Sequence, residues 1–103
     1  MSQSTAAVQE VLPELSVFIF ELLRAQKFSE AEARSVLPST NLIELGFVDS
    51  FTMLEVVVFL ESRFKIQFSP AHFMDDHFTS MEKMSRLTRE LIGEQHVSGV
   101  ANE

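Results

Sequence analysis

Apolar side chains recur at helical spacing in long segments of this chain, and no segment alternates apolar and polar residues as a β-strand does. Because a proline inside a helix removes a hydrogen bond, the first helix either begins near Pro13 or begins near Thr5 and kinks. The stripe continues through Pro13, which favours the kink. At about 100° per residue, this first stripe collects Val11, Leu12, Leu15, Phe18, Ile19, Leu22 and Leu23.

Capping residues predict where two further helices begin. Ser29 and Glu32 have the spacing of a capping box and indicate one short helix. Asp49 is a good N-cap for a long helix from about Ser50 to Lys65, because its carboxylate can accept from the free amides of the first turn. One stripe of this helix is expected to face the core: Met53, Val56, Val57, Leu60 and Phe64.

The C-terminal third predicts one more long helix. Thr79 and Glu82 have capping-box spacing, and Gly93 is expected to end the helix. Residues 71–77 could form a brief helical turn. Gly46, in the long connection before the second long helix, suits a sharp backbone turn. The residues of the last helix that should face inward are Met81, Met84, Leu87, Leu91 and Ile92.

Length and composition predict one small all-α domain. The chain has 103 residues, of which 46% are hydrophobic, so it can bury a single core. We expect three main helices plus one or two short ones. The folded domain should span residues 6–93, with a flexible N-terminus at 1–5 and a flexible tail at 94–103.

The charge and the absence of cysteine exclude several classes of function. A formal net charge of −7 repels nucleic acid and anionic lipid and favours basic partners. Without cysteine the chain has no disulfide, no thiolate metal site and no thiol of its own. No signal peptide and no apolar run of about 18 residues is present, so a cytoplasmic location is expected.

Ser50, directly after the predicted cap, lies beside a second apolar strip of the long helix. Leu54 and Val58 fall on this strip, next to Phe51, which is expected to be packed. The strip either packs against a second neighbour within the domain or is a docking surface for partners that approach Ser50. A phosphoester on the serine would face the unpaired amides of the helix start, although Asp49 partly opposes it.

The stretch from Gly46 to Glu55, with the continuation from Phe59 to Phe64, resembles the Asp-Ser-Leu signature of acyl carrier proteins. The resemblance extends over about residues 42–91. It implies a four-helix bundle with a long first loop and a short third helix. It also implies a covalent 4′-phosphopantetheine arm on Ser50, with Asp49 as the cap beside it. The residues that would meet partner enzymes are Leu54, Glu55, Val58 and Glu61.

The resemblance implies a stand-alone, non-catalytic carrier that holds acyl or aminoacyl groups as thioesters and shuttles them between biosynthetic enzymes. Its partners would be a phosphopantetheinyl transferase, an acyl- or aminoacyl-loading ligase, and downstream synthases, transferases or tailoring enzymes. A monomer without membrane insertion is expected. An alternative is a small helical adaptor that binds a partner helix in an apolar groove, without a prosthetic group.

Departures from the family pattern bear on the subtype. Phe51 replaces the usual leucine, Thr52 stands where an acid is common, and Arg63 and Lys65 add positive charge. The acidic recognition face is therefore thinner. This favours secondary metabolism or cell-envelope tailoring over bulk fatty acid synthesis, within the wider class of lipid or fatty acid biosynthesis. The loop from Gly46 to Ser50, without the glycine pair usual in peptidyl carriers, more resembles free-standing aminoacyl carriers, including the D-alanyl type.

Two other groups of residues could carry chemistry. The chain has ten phenylalanines; core filling is the favoured interpretation for Phe18, Phe64, Phe68, Phe73 and Phe78, and a cleft for an acyl chain is the alternative. His72 and His77 flank Asp75 and Asp76, but a five-residue separation puts the two histidines on different faces of a helix. Ordinary polar side chains exposed to solvent are therefore favoured over a metal site.

Overall fold

The computed structural model describes the backbone of residues 10–101 and the side chains of residues 10–96. The described part contains helices and no strand, so the all-α prediction is confirmed. The helices, in chain order, are α1 (Val11–Ala25), α2 (Glu30–Arg34), α3 (Ser50–Phe64), a 3₁₀ helix (Pro70–Met74) and α4 (Met81–Ala101).

The predicted apolar stripes form one core. Helix α1 contacts α2, α3 and α4, and α3 also contacts α4. Every residue predicted to face inward from α3 and α4 is buried. The α1 stripe is confirmed at its centre line, and its edges at Leu12, Phe18 and Leu22 are only partly buried. The buried residues that the three long helices contribute to this core include Leu15, Ile19, Leu23, Val56, Leu60, Met84 and Leu87.

Pro13 is the third residue of α1, which begins at Val11 after Glu10. The amides of a first helical turn have no acceptor within the helix, so a proline there sacrifices no helical hydrogen bond. The described start therefore agrees with the alternative near Pro13. The favoured start near Thr5 falls on residues outside the described part.

The short helix α2 begins as predicted. The Glu32 N–H donates to Ser29 Oγ at 3.1 Å, and the Ser29 N–H donates to Glu32 Oε1 at 2.8 Å. Both halves of the capping box are thus formed. The brief turn predicted at residues 71–77 is present as the 3₁₀ helix Pro70–Met74.

The predicted limits of α4 were wrong at both ends. Ser80, not Thr79, accepts from the first turn, with the Lys83 N–H 3.2 Å from Ser80 Oγ. The Thr79 hydroxyl instead donates to the carbonyl of Asp76. At the other end, Gly93 does not stop the helix, which continues to Ala101.

Contacts beyond Gly93 explain why the helix continues. The Gln95 side chain accepts from the Gln67 N–H and donates to the Gln67 carbonyl, both at 2.9 Å. The His96 Nε2 lies 3.1 Å from the carbonyl of Phe64. Glycine costs only about 1 kcal/mol in a helix interior, and these contacts offset it. Residues 1–5 lie outside the described part, and the domain limits of 6–93 remain a prediction.

Two helices end on lysines with left-handed backbones. Lys65, the C-cap of α3, has φ 58°, and its N–H donates to the carbonyl of Glu61. Lys27, just after α1, has φ 78°. Left-handed geometry lets the chain reverse at a helix end, and glycine is its usual residue.

Within the described residues, no helix is both long and apolar enough to cross a membrane.

Candidate functional site

The loop that precedes α3 is anchored at Leu42, which is fully buried. Its N–H donates to the Thr79 carbonyl at 2.8 Å, and its carbonyl accepts from the N–H groups of Phe47 (2.9 Å) and Val48 (3.1 Å). Gly46 takes φ 80°, which confirms the predicted sharp turn. The loop is therefore a closed, pinned turn that fixes the start of α3.

Asp49 caps α3 as predicted. Its Oδ1 accepts from both the N–H and the hydroxyl of Thr52, each at 2.8 Å. Its carbonyl accepts from the Met53 N–H, also at 2.8 Å. The backbone and side-chain hydrogen bonds from Thr52 hold the pKa of Asp49 below its usual range. The carboxylate therefore stays ionised and fixed beside the next residue.

Ser50 is exposed and is the first residue of α3. At this position its hydroxyl lies at the positive end of the helix dipole, among the amides of the first turn. Such a site accommodates a phosphoester. Asp49, itself an anion, offsets part of this attraction.

The described histidines bond elsewhere and do not form a nucleophile-activating pair with Ser50. His72 Nδ1 accepts from the Ser69 N–H at 2.9 Å. His77 lies near Asp75, with 3.6 Å between Nε2 and Oδ2, and His96 contacts the end of α3. Among residues 10–96, no group of three or more His, Asp or Glu side chains is arranged to hold a metal ion.

The second apolar strip of α3 is open to solvent. Leu54 and Val58 are each 60% exposed, and Phe51 is 73% exposed, so the expectation that Phe51 is packed was wrong. Its side chain projects away from the buried stripe that already joins α3 to α1 and α4. Packing on a second side within the described part is thereby excluded for this strip.

The two predicted recognition acids differ in their surroundings. Glu55 is exposed, whereas Glu61 is half-buried and its Oε2 accepts from the Phe68 N–H at 3.0 Å. Glu61 therefore also holds the connection that follows α3. Arg63, one of the added positive charges, pairs with Glu14 of α1 at 2.6 Å, so the chain neutralises that charge itself.

The phenylalanines divide between core and surface. Phe64, Phe68 and Phe78 are buried, as the core interpretation predicts. Phe73 is 46% exposed but stacks on Phe78, with ring centroids 4.9 Å apart. Phe18 is half-buried, and the alternative of an acyl cleft remains a prediction.

Sequence reasoning missed the role of Thr52, which is 6% exposed. Its hydroxyl fixes the cap, and Gln26 Nε2 approaches the same oxygen at 3.4 Å. The Asp-x-x-Thr spacing carried the information, because a side chain three residues after an N-cap lies next to it.

The chain matches the model of a known protein family. The profile of the family described as phosphopantetheine attachment site matches residues 25–87, which is more than half of the chain. The matched range includes α2, the pinned loop, α3 and the first turns of α4. A search of curated proteins finds no match. A search of solved structures finds none either.

Proposed function

This chain belongs to the phosphopantetheine attachment family, and we propose that it is an acyl carrier protein whose 4′-phosphopantetheine arm is esterified to Ser50. A domain of this family is an attachment site for that prosthetic group and a non-catalytic carrier. The resemblance of the Asp49-Ser50 segment to the carrier signature and the family match are consistent with each other.

One observation carries the assignment to Ser50. Its hydroxyl is exposed at the first position of α3, within the matched range, directly after a cap fixed by Thr52. A transferase can reach this oxygen, and the amides of the first turn can meet the phosphate that it would bear. When bound, the arm supplies the thiol that the chain lacks, which allows acyl groups to be held as thioesters.

The residues around Ser50 hold the serine in place and form a surface that partner enzymes would recognise. Asp49 and the pinned loop hold the serine at a defined place, while Leu54, Glu55 and Val58 present an apolar and acidic surface beside it. Enzymes that transfer the arm, load the cargo and unload it would bind there in turn. The proposed cargo is an acyl or aminoacyl group, and the reactions belong to those partners.

Intact mass spectrometry tests the attachment. The purified chain is incubated with coenzyme A and a broad-specificity phosphopantetheinyl transferase, beside Ser50→Ala and the control Ser62→Ala. Ser62 is also exposed on α3, so it controls for the loss of any serine from this helix. Wild type and Ser62→Ala should each gain one phosphopantetheinyl group, and Ser50→Ala should gain none.

The same experiment separates the carrier from the adaptor. A helical adaptor without a prosthetic group gains no mass in any form. Circular dichroism of Ser50→Ala should match the wild type, which assigns its failure to the missing oxygen rather than to unfolding. A wild-type chain that stays unmodified, or a Ser50→Ala chain that is modified, would refute the assignment.

A further inference from the structure

Helices α1 and α3 enclose a surface groove with an aromatic floor. Two adjoining hollows, of about 400 and 410 Å³, share Phe18, Phe59 and Arg63. The rings of Phe18 and Phe59 stack with their centroids 4.3 Å apart and their planes 12° from parallel. Val17 (59% exposed) and Val58 (60% exposed) border this α1–α3 groove. Exposed apolar surface of this kind marks interaction sites.

The charges around the groove are predominantly acidic. Glu14, Glu21 and Glu55 lie in its lining, and Arg63 is the one base there among the described residues. Both Arg63–Glu14 contacts are short, at 2.6 and 2.7 Å, so this pair is internally neutral. Glu21 and Glu55 are both exposed and leave a net negative rim.

We propose that the α1–α3 groove binds an amphipathic basic helix of a partner enzyme. The apolar side chains of the partner helix would lie on the Phe18–Phe59 stack, and the lysines or arginines of that helix would face Glu21 and Glu55. The groove shares Val58 and Glu55 with the proposed recognition surface of α3. Docking would thus extend from α3 across to α1. The inference rests on the proposed carrier function, which requires partner enzymes.

Charge and secondary structure favour this occupant. A second copy of the chain would bring the same acids and the same net charge of −7, which opposes association. A partner strand would need a sheet edge, and the described part contains no strand. A helix instead presents apolar side chains on one face and basic ones on the other, which matches an apolar floor with an acidic rim.

NMR titration tests the groove with a defined probe. The ¹⁵N-labelled chain is titrated with a synthetic helical peptide of leucine and lysine, with leucines on one face. A second peptide carries glutamate in place of every lysine. The lysine peptide should shift the amides of Val17, Phe18 and Phe59 and saturate, and the glutamate peptide should not bind. Shifts centred on the exposed Phe73 and Met74 instead would overturn the proposal.

Matched variants sharpen the test. Val17→Lys places a charge in the groove, whereas Leu37→Lys places it at an equally exposed residue (59% in each case) outside the groove lining. Val17→Lys should weaken binding of the lysine peptide about tenfold, a typical loss for a buried contact. Ser62 lines the groove on the α3 side, so Ser62→Lys should also weaken binding, and Leu37→Lys should not. Equal weakening by all three would overturn the proposal.

Other occupants give distinct results. Self-association of the free wild type in sedimentation, abolished by Val17→Lys, would assign the groove to a second copy. Shifts at Val17 and Phe59 that appear on loading an octanoyl-pantetheine arm, without peptide, would assign it to the cargo. Either result overturns the helix proposal. Failure of arm transfer to the wild type would instead refute the carrier function, whatever the peptides do.

Discussion

Thr52 donates both its backbone N–H and its hydroxyl to one oxygen of Asp49, each over 2.8 Å. A single residue in the first turn of α3 thus fixes the carboxylate that precedes Ser50. We predict that Thr52→Val, which keeps the N–H but removes the hydroxyl, raises the pKa of Asp49 toward its usual value. Carbon-13 NMR of the Asp49 carboxyl measures this, and Thr52→Ser should keep most of the depression. An unchanged pKa in Thr52→Val would show that the backbone N–H alone holds the cap.

The depressed pKa of Asp49 predicts a dependence of stability on pH. The folded state holds this group ionised to a lower pH than the unfolded state does, so the unfolded state binds more protons. The stabilisation is complete above the unfolded pKa of about 4 and is lost as pH falls through the lower folded value. As pH falls through this acidic range, the midpoint temperature of thermal unfolding should fall less steeply for Asp49→Asn than for the wild type. Parallel curves would contradict the prediction.

The hydrogen bonds at the start of α4 predict that alanine substitutions at the adjacent residues Thr79 and Ser80 differ in their effect on stability. Ser80→Ala removes the acceptor for the Lys83 N–H and should lower the free energy of unfolding by about 1 kcal/mol, as loss of an N-cap does. Thr79→Ala removes only a hydroxyl that donates to a neighbouring loop carbonyl. Urea denaturation should therefore rank Ser80→Ala as the less stable variant. The reverse order would mean that Thr79 caps the helix.

Gln95 ties α4 to the connection after α3. Gln95→Ala loses the two hydrogen bonds to Gln67 and should reduce stability by about 1 kcal/mol, because each such bond contributes modestly. A chain that ends after Gly93 should be destabilised at least as much, whereas one that ends after His96 should keep these bonds. Equal stability of the two truncated chains would restore Gly93 as the end of the folded domain.

Periodicity and capping chemistry made much of this fold predictable. Leu15 and Leu60 lie on stripes that only a helix can bury, and Asp49 is a strong cap whose partner, Thr52, is only three positions further along the sequence. Those are local properties, so the sequence alone determines them. Ser50 could be singled out for the same reason, through its place directly after that cap.

Contacts between residues far apart in the sequence determine the features of the fold that the sequence did not predict. Gly93 looked like a helix end because glycine often is one, but the bonds between Gln95 and Gln67 join residues 28 positions apart. Phe51 was expected to be buried because α3 is apolar nearly all round, yet no neighbour in the described part covers it. The stack of Phe18 on Phe59 likewise depends on how α1 and α3 meet.

Lys27 and Lys65 have left-handed backbones. Compared with glycine at the same positions, each lysine strains the native state but also restricts the denatured chain. A side chain in that backbone region costs roughly 1–2 kcal/mol in the native protein. Glycine would avoid this cost but would give the denatured chain more freedom, worth about 0.4–1 kcal/mol. The second effect offsets about half of the first, so the helix ends carry positive charge at a smaller net cost than the native-state strain alone. Each cation then lies near the negative end of its helix dipole, where a positive charge is favourable.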